Sequence, residues 1–182
     1  APAEGEVAFD FKLSGYVFGL KMVSARYRVN LGDDSYTIYS DMKTSGLAAM
    51  LKKQQLWSYT DGTYDETDMK PVNHIQQNMN KKSRRVEIFY NYKRDRIRQT
   101  VNPRFGSMGT PPATPEQAFT SDDANTAMLK VLMSGHRMKD EICTETIPVY
   151  DGKQHYNLRM VRQADTTKKF EGTKHTAIEC HV

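Results

Sequence analysis

The chain has little that would mark a specialised class. It carries two cysteines in 182 residues, too few for a disulfide-dense scaffold. No apolar run approaches the roughly 20 residues that span a bilayer as a helix, and mean hydropathy is −0.71. An integral helical membrane protein is excluded, and no transmembrane segment is expected. Hydrophobic residues reach 38%, below the usual figure of about 45–50%. The opening Ala-Pro-Ala-Glu-Gly-Glu has no basic segment followed by an apolar one; the chain is cytosolic, or a signal peptide has been removed. No internal repeat or low-complexity tract occurs.

Catalytic signatures are missing as well. No two histidines stand at i, i+4 for a zincin site, and Arg104 to Gly109 lacks the lysine of a phosphate loop. No serine sits in a nucleophile elbow. The carboxylates at Asp33-Asp34, Asp65-Glu66-Asp68 and Asp122-Asp123 fall at turns or a helix start, where turn and cap chemistry explains them. Cys143, His155, His175, Cys180 and His181 have zinc-ligand chemistry, but not the spacing of a finger or ribbon. No catalytic residue, metal or cofactor is expected.

What is present is period-two alternation. Val7, Phe9, Phe11 and Leu13 alternate with polar or small residues, as do Ala25, Tyr27, Val29 and Leu31. A Gly32–Ser35 turn then leads to Tyr36, Ile38, Ser40 and Met42. Further strands are predicted near Gln54–Tyr59, Val72–Met79, Val86–Tyr92, Arg96–Val101, Ile147–Val149, Tyr156–Met160 and Ile178–Val182. Short turns join nearly all of them, as in an antiparallel meander. An aromatic fraction of 10% argues against intrinsic disorder. A chain of this length buries a substantial core and suggests one domain, residues 1–182.

Two segments break the period. Leu47, Met50 and Leu51 predict one or two helical turns within 45–53. Ala124, Ala127, Met128, Val131 and Leu132 predict a longer helix within 121–135. Thr120 or Ser121 is the expected cap and Gly135 the expected stop. Residues 102–120, with Pro103, Pro111, Pro112 and Pro115, read as a proline-rich loop.

Three groups of residues invite a functional reading. Cys143 and Cys180 share parity with core-facing apolar neighbours; a disulfide and two separate buried thiols both satisfy that pattern. Arg84, Arg85, Arg94 and Arg96 crowd one hairpin beside aromatics, as a solvated face or a surface for anionic partners. The net charge of +4 is modest for a nucleic-acid binder, and none is expected as a partner. Ten methionines fill core gaps or line an adaptable apolar groove. The candidate ligand-lining set is Met42, Trp57, Tyr90, Met128 and Leu132.

The opening strand Val7–Phe11, the Gly15–Lys21 run, Thr44–Leu47, Asp122–Leu132 and above all Ile147–Leu158 resemble an uncharacterised family of bacterial envelope proteins, a DUF3108-like domain of unknown function. The resemblance covers nearly the whole chain. It implies a periplasmic location and a curved sheet similar to the half-barrels of the lipoprotein carriers LolA and LolB. It favours a Cys143–Cys180 disulfide and supplies no catalytic residues. Members of that family continue past the second cysteine, so truncation after residue 182 is an expectation. The fold expected is mainly β: a strongly curved antiparallel sheet, half-barrel or open barrel, with one helix packed on it and a short second helix. The function expected is non-enzymatic envelope maintenance in the periplasm, with a lipid, an acyl chain or an envelope protein as partner. The alternatives are an interaction module using the basic hairpin on an anionic surface, and an enzyme of unrecognised type.

Overall fold

A computed structural model describes residues 7–66, 68–80, 83–133, 142–170 and 172–181. The first seven strands form one antiparallel sheet in sequence order: β1 (Val7–Val17), β2 (Leu20–Leu31), β3 (Ser35–Thr44), β4 (Gln55–Tyr64), β5 (Met69–Asn78), β6 (Arg85–Asn91) and β7 (Arg96–Asn102). The sheet does not close, since β1 and β7 are its edges, and the molecule is an open half-barrel. Alternation does what the sequence predicts. Ala25, Tyr27 and Val29 on β2 and Tyr36 and Ile38 on β3 are buried, while Arg26 and Arg28 between them are exposed. Burying each of the larger apolar side chains contributes about 1.5–3 kcal/mol.

The inner face is covered by elements from the second half of the chain. Helices α2 (Pro115–Thr120) and α3 (Ala124–Met133) follow β7, whereas the short α1 (Gly46–Leu51) lies within the β3–β4 connection. Leu129 of α3 is packed with Tyr27, Val29 and Ile38. Ala127 packs with Ile147 and Val149 of β8 (Thr146–Tyr150), which pairs with β9 (His155–Arg159). The short link between α2 and α3 lies against β8: the Asp122 amide donates to the Pro148 carbonyl at 3.0 Å and the Tyr150 amide to the Asp122 carbonyl at 2.8 Å. Strands β10 (Val161–Phe170) and β11 (Thr173–His181) form a separate two-stranded sheet. Cys143 and Cys180 are joined, with Cα atoms 5.8 Å apart, within the usual disulfide range of about 4.4–6.8 Å. The bond ties the end of β11 to the segment entering β8.

Four details differ from the sequence reading. The proline-rich segment 102–120 is not all loop: its last six residues are α2, and Asn102 ends β7. Thr114 and Gln117 form a reciprocal capping box, with Pro115 at the first helical position, a start signal hidden among prolines. Thr120 and Ser121 do not cap α3; their hydroxyls donate to the Glu116 and Gln117 carbonyls and finish α2. Asp123 caps α3, accepting from the Asn125 amide at 2.9 Å. Strand β10 had no clear alternation to announce it. Gly135 and Val182 lie outside the described residues.

Candidate functional site

Strand β4 turns Ser58 and Thr60 inward, β5 turns His74 inward, and all three are buried. The inner face is therefore polar where α3 begins, and the start of α3 is matched to it. Asp123, fully buried, is the hub. Its Oδ1 accepts from Thr60 Oγ1 at 2.7 Å and the Asn125 amide at 2.9 Å, and lies 2.9 Å from His74 Nδ1. Its Oδ2 accepts from Thr126 Oγ1 at 2.6 Å. Tyr36 OH meets Thr126 Oγ1 at 2.8 Å. Asn125 Nδ2 donates to Thr60 Oγ1 at 3.2 Å, and Asn125 Oδ1 accepts from Ser58 Oγ at 3.0 Å.

Tyr36 reaches Thr126 only because Gly62 stands across from it. A Cβ on Gly62 would lie 2.5 Å from the Tyr36 hydroxyl and 2.4 Å from the Lys70 carbonyl oxygen.

Burial alone would raise the Asp123 carboxyl. The His74 ring and the Thr126 and Thr60 hydroxyls outweigh it and hold the carboxyl below its ordinary value of 3.8. With Asp123 ionised, His74 Nδ1–H is the donor. His74 Nε2 and the Tyr90 hydroxyl are buried without a hydrogen-bond partner among the described residues.

One residue earlier the chain faces a different environment. Asp122 points into a cleft of about 670 Å³ between α2, α3, β8 and the ends of β5 and β6. Met69, Pro71, Tyr92, Phe119, Ile147 and Pro148 give it apolar walls; Asp68, Asp95, Asp122 and Glu145 outnumber Lys70 and Lys130 around it. Lys130 Nζ sits 2.8 Å from both Asp68 Oδ1 and Asp122 Oδ2. Burial pushes Asp122 up to about 6 against the pull of the Lys130 ammonium, with Asp123 and Asp68 adding to the rise.

The raised carboxyl sets a sign for pH dependence. Between its ordinary 3.8 and about 6, the folded protein holds a proton that the unfolded chain has released, so stability falls as pH rises through this window. Across the window the loss is about 2–3 kcal/mol. Urea midpoints measured along it should fall for the wild type and stay flatter for Asp122→Asn. Parallel curves would remove the assignment.

The residues singled out in the sequence are scattered. Met42 and Met128 both pack against the Tyr27–Leu129 cluster. Tyr90 belongs to a second cluster with Val86 and Ile88. Leu132 is 40% exposed on α3. Trp57 lies on the opposite face of the sheet, its ring 6.5 Å from that of Tyr39, so these five do not line one groove.

The four arginines also separate. Arg84 donates to the Pro103 and Arg104 carbonyls and covers the Phe105 ring. Arg85 pairs with Glu87 at 2.6 Å. Arg94 and Arg96 are exposed at the other end of the β6–β7 hairpin, about 20 Å away at the usual strand rise of about 3.3 Å per residue. In the sequence Asp123 marks only a helix start. The one sequence signal for it was polar Ser58 and Thr60 recurring at alternate positions of a strand.

No helix among the described residues is long and apolar enough to cross a membrane. No curated protein matches the chain, and no solved structure does. Residues 10–181 match one family along almost the whole chain, and the protein belongs to it: the family described as "Protein of unknown function (DUF3108)".

Proposed function

We propose that this protein is a non-catalytic envelope-maintenance factor of the periplasm, and that it holds a segment of a protein partner in the cleft beside Asp122. The cleft carries this reading: its walls are apolar, its rim holds more acids than lysines, and it opens to the surface. Such a site suits a short segment with apolar side chains and a Lys or Arg. The extracytoplasmic location is supported by the disulfide, because such bonds persist in oxidising compartments. An acyl chain inside the half-barrel is disfavoured, because α3 covers the inner face and is bonded to it through Asp123, Thr126 and Asn125.

The test is peptide display against the full chain. Enriched peptides should combine apolar and basic residues, bind more weakly as salt rises, and lose at least about tenfold in affinity on Phe119→Ser. Failure to enrich any sequence, or enrichment of acidic ones, would sink the proposal. A second reading, an enzyme, is favoured by Asp122 titrating near 6 within a cleft. Turnover of any substrate lost in Asp122→Asn with folding intact would decide for it.

A further inference from the structure

Helix α1 forms where the spacing of its apolar residues predicts, and its apolar side faces the surface. Leu47, Met50 and Leu51 share one side of the short helix, and they are 51%, 82% and 87% exposed. They are not alone. The tip of the β1–β2 hairpin carries Val17, Phe18 and Leu20, with Phe18 entirely exposed.

The two features lie side by side at one end of the sheet. The Ser45 amide donates to the Met22 carbonyl at 2.9 Å, and Gly46 comes so near β2 that a Cβ there would lie 2.4 Å from the Lys21 carbonyl oxygen. Gly46 also has φ +57°, which a side chain would strain. The backbone is thus built to hold α1 against the hairpin while both turn their apolar side chains outward.

The charge around this tip has one sign. Residues 11–24 and 42–55 contain Lys12, Lys21, Lys43, Lys52 and Lys53 and no acidic residue. Asp41 borders the second segment and is paired with Lys43 at 3.0 Å. A protruding apolar tip ringed by lysines suits the boundary of a bilayer. Aromatic and aliphatic side chains enter the acyl edge there, while lysine stems lie along it and place their ammonium groups among phosphates. A second copy of the chain at this tip would set lysines against lysines, which disfavours self-association.

We propose that the β1–β2 tip and α1 together dock the protein onto the surface of an anionic phospholipid bilayer, at the end of the sheet away from the Asp33–Asp34 and Arg94 turns. This is separate from the cleft, so either can fail alone.

The experiment is co-sedimentation of the full chain with vesicles of phosphatidylglycerol mixed with phosphatidylethanolamine, against vesicles of phosphatidylcholine. The expected result is binding to the anionic vesicles that weakens with salt. Phe18→Ser with Leu51→Ser should lower it at least about tenfold, as should Lys52→Glu with Lys53→Glu. These positions are exposed, so thermal melting should show both variants folded. Arg94→Glu with Arg96→Glu should bind as the wild type does. Absence of wild-type binding, or tip variants that bind equally well, would overturn the proposal. So would a wild-type dimer in sedimentation equilibrium that the tip variants dissolve, without vesicle binding.

Discussion

Asp123→Ala should leave the protein close to unfolding. The carboxylate serves Thr60, His74, Asn125 and Thr126 at once; the alanine variant removes the acceptor of the Asn125 amide and leaves the other three, in a buried layer, only the Thr60–His74 and Tyr36–Thr126 contacts. Removing one partner from a buried charged network costs about 3–5 kcal/mol, a large share of a typical total of about 5–15 kcal/mol. The helix also loses its cap. Thr60→Val should cost less, about 1–3 kcal/mol, because only the hydroxyl links to Asp123, Asn125 and His74 disappear.

Acid acts on the same group. Asp123 is held below its ordinary 3.8, so its stabilising contribution is complete above that value and is lost as pH falls through the lowered one. Urea midpoints for wild type, Asp123→Ala and Thr60→Val provide the measurement. An unfolding free energy for Asp123→Ala within about 1 kcal/mol of wild type would mean that the layer does not hold α3 to the sheet.

Reducing the disulfide should release one part of the molecule and spare another. Cys143 and Cys180 are 37 positions apart, and closing such a loop restrains the unfolded chain by about 4 kcal/mol on chain-entropy grounds. Among the described residues, strands β10 and β11 pair only with each other, and an isolated two-stranded hairpin is marginal in water. Limited proteolysis with reductant, or of a Cys143→Ser and Cys180→Ser double variant, should therefore cut first within residues 161–181. The seven-stranded sheet, with its own core, should survive that first cleavage. Equal resistance of oxidised and reduced protein would show that other contacts hold the hairpin.

The disulfide and the Asp123 layer differ in how far the sequence announces them. The cysteine pair was visible as matched parity, with two interpretations open. The family resemblance favours the bond, and the fold brings the two Cα atoms to 5.8 Å, where it forms. The Asp123 layer was nearly invisible. Asp122 and Asp123 are adjacent and chemically identical, yet one faces a cleft and titrates near 6 while the other is buried among donors and held low. That split depends on the β8 backbone pinning the link between α2 and α3. No local pattern encodes such pairing, because its partners lie more than twenty positions along the chain.

The sequence by itself determined the meander. Period-two alternation in β2, β3 and β6 fixes which side chains are inward, since a pleated strand sends neighbours to opposite faces. It also determined α3, whose apolar spacing and acidic start suit a helix. Tertiary structure decided what each face meets. The apolar spacing of α1 was real, but Gly46 pressed against β2 turns it to the surface rather than the core. The Arg84–Arg96 cluster was dense in sequence, but hairpin geometry divides it between two ends and carbonyls or Glu87 engage half of it. Periodicity is a local property of the backbone, whereas exposure, charge clustering and the titration of a carboxyl depend on which distant segments the fold brings together.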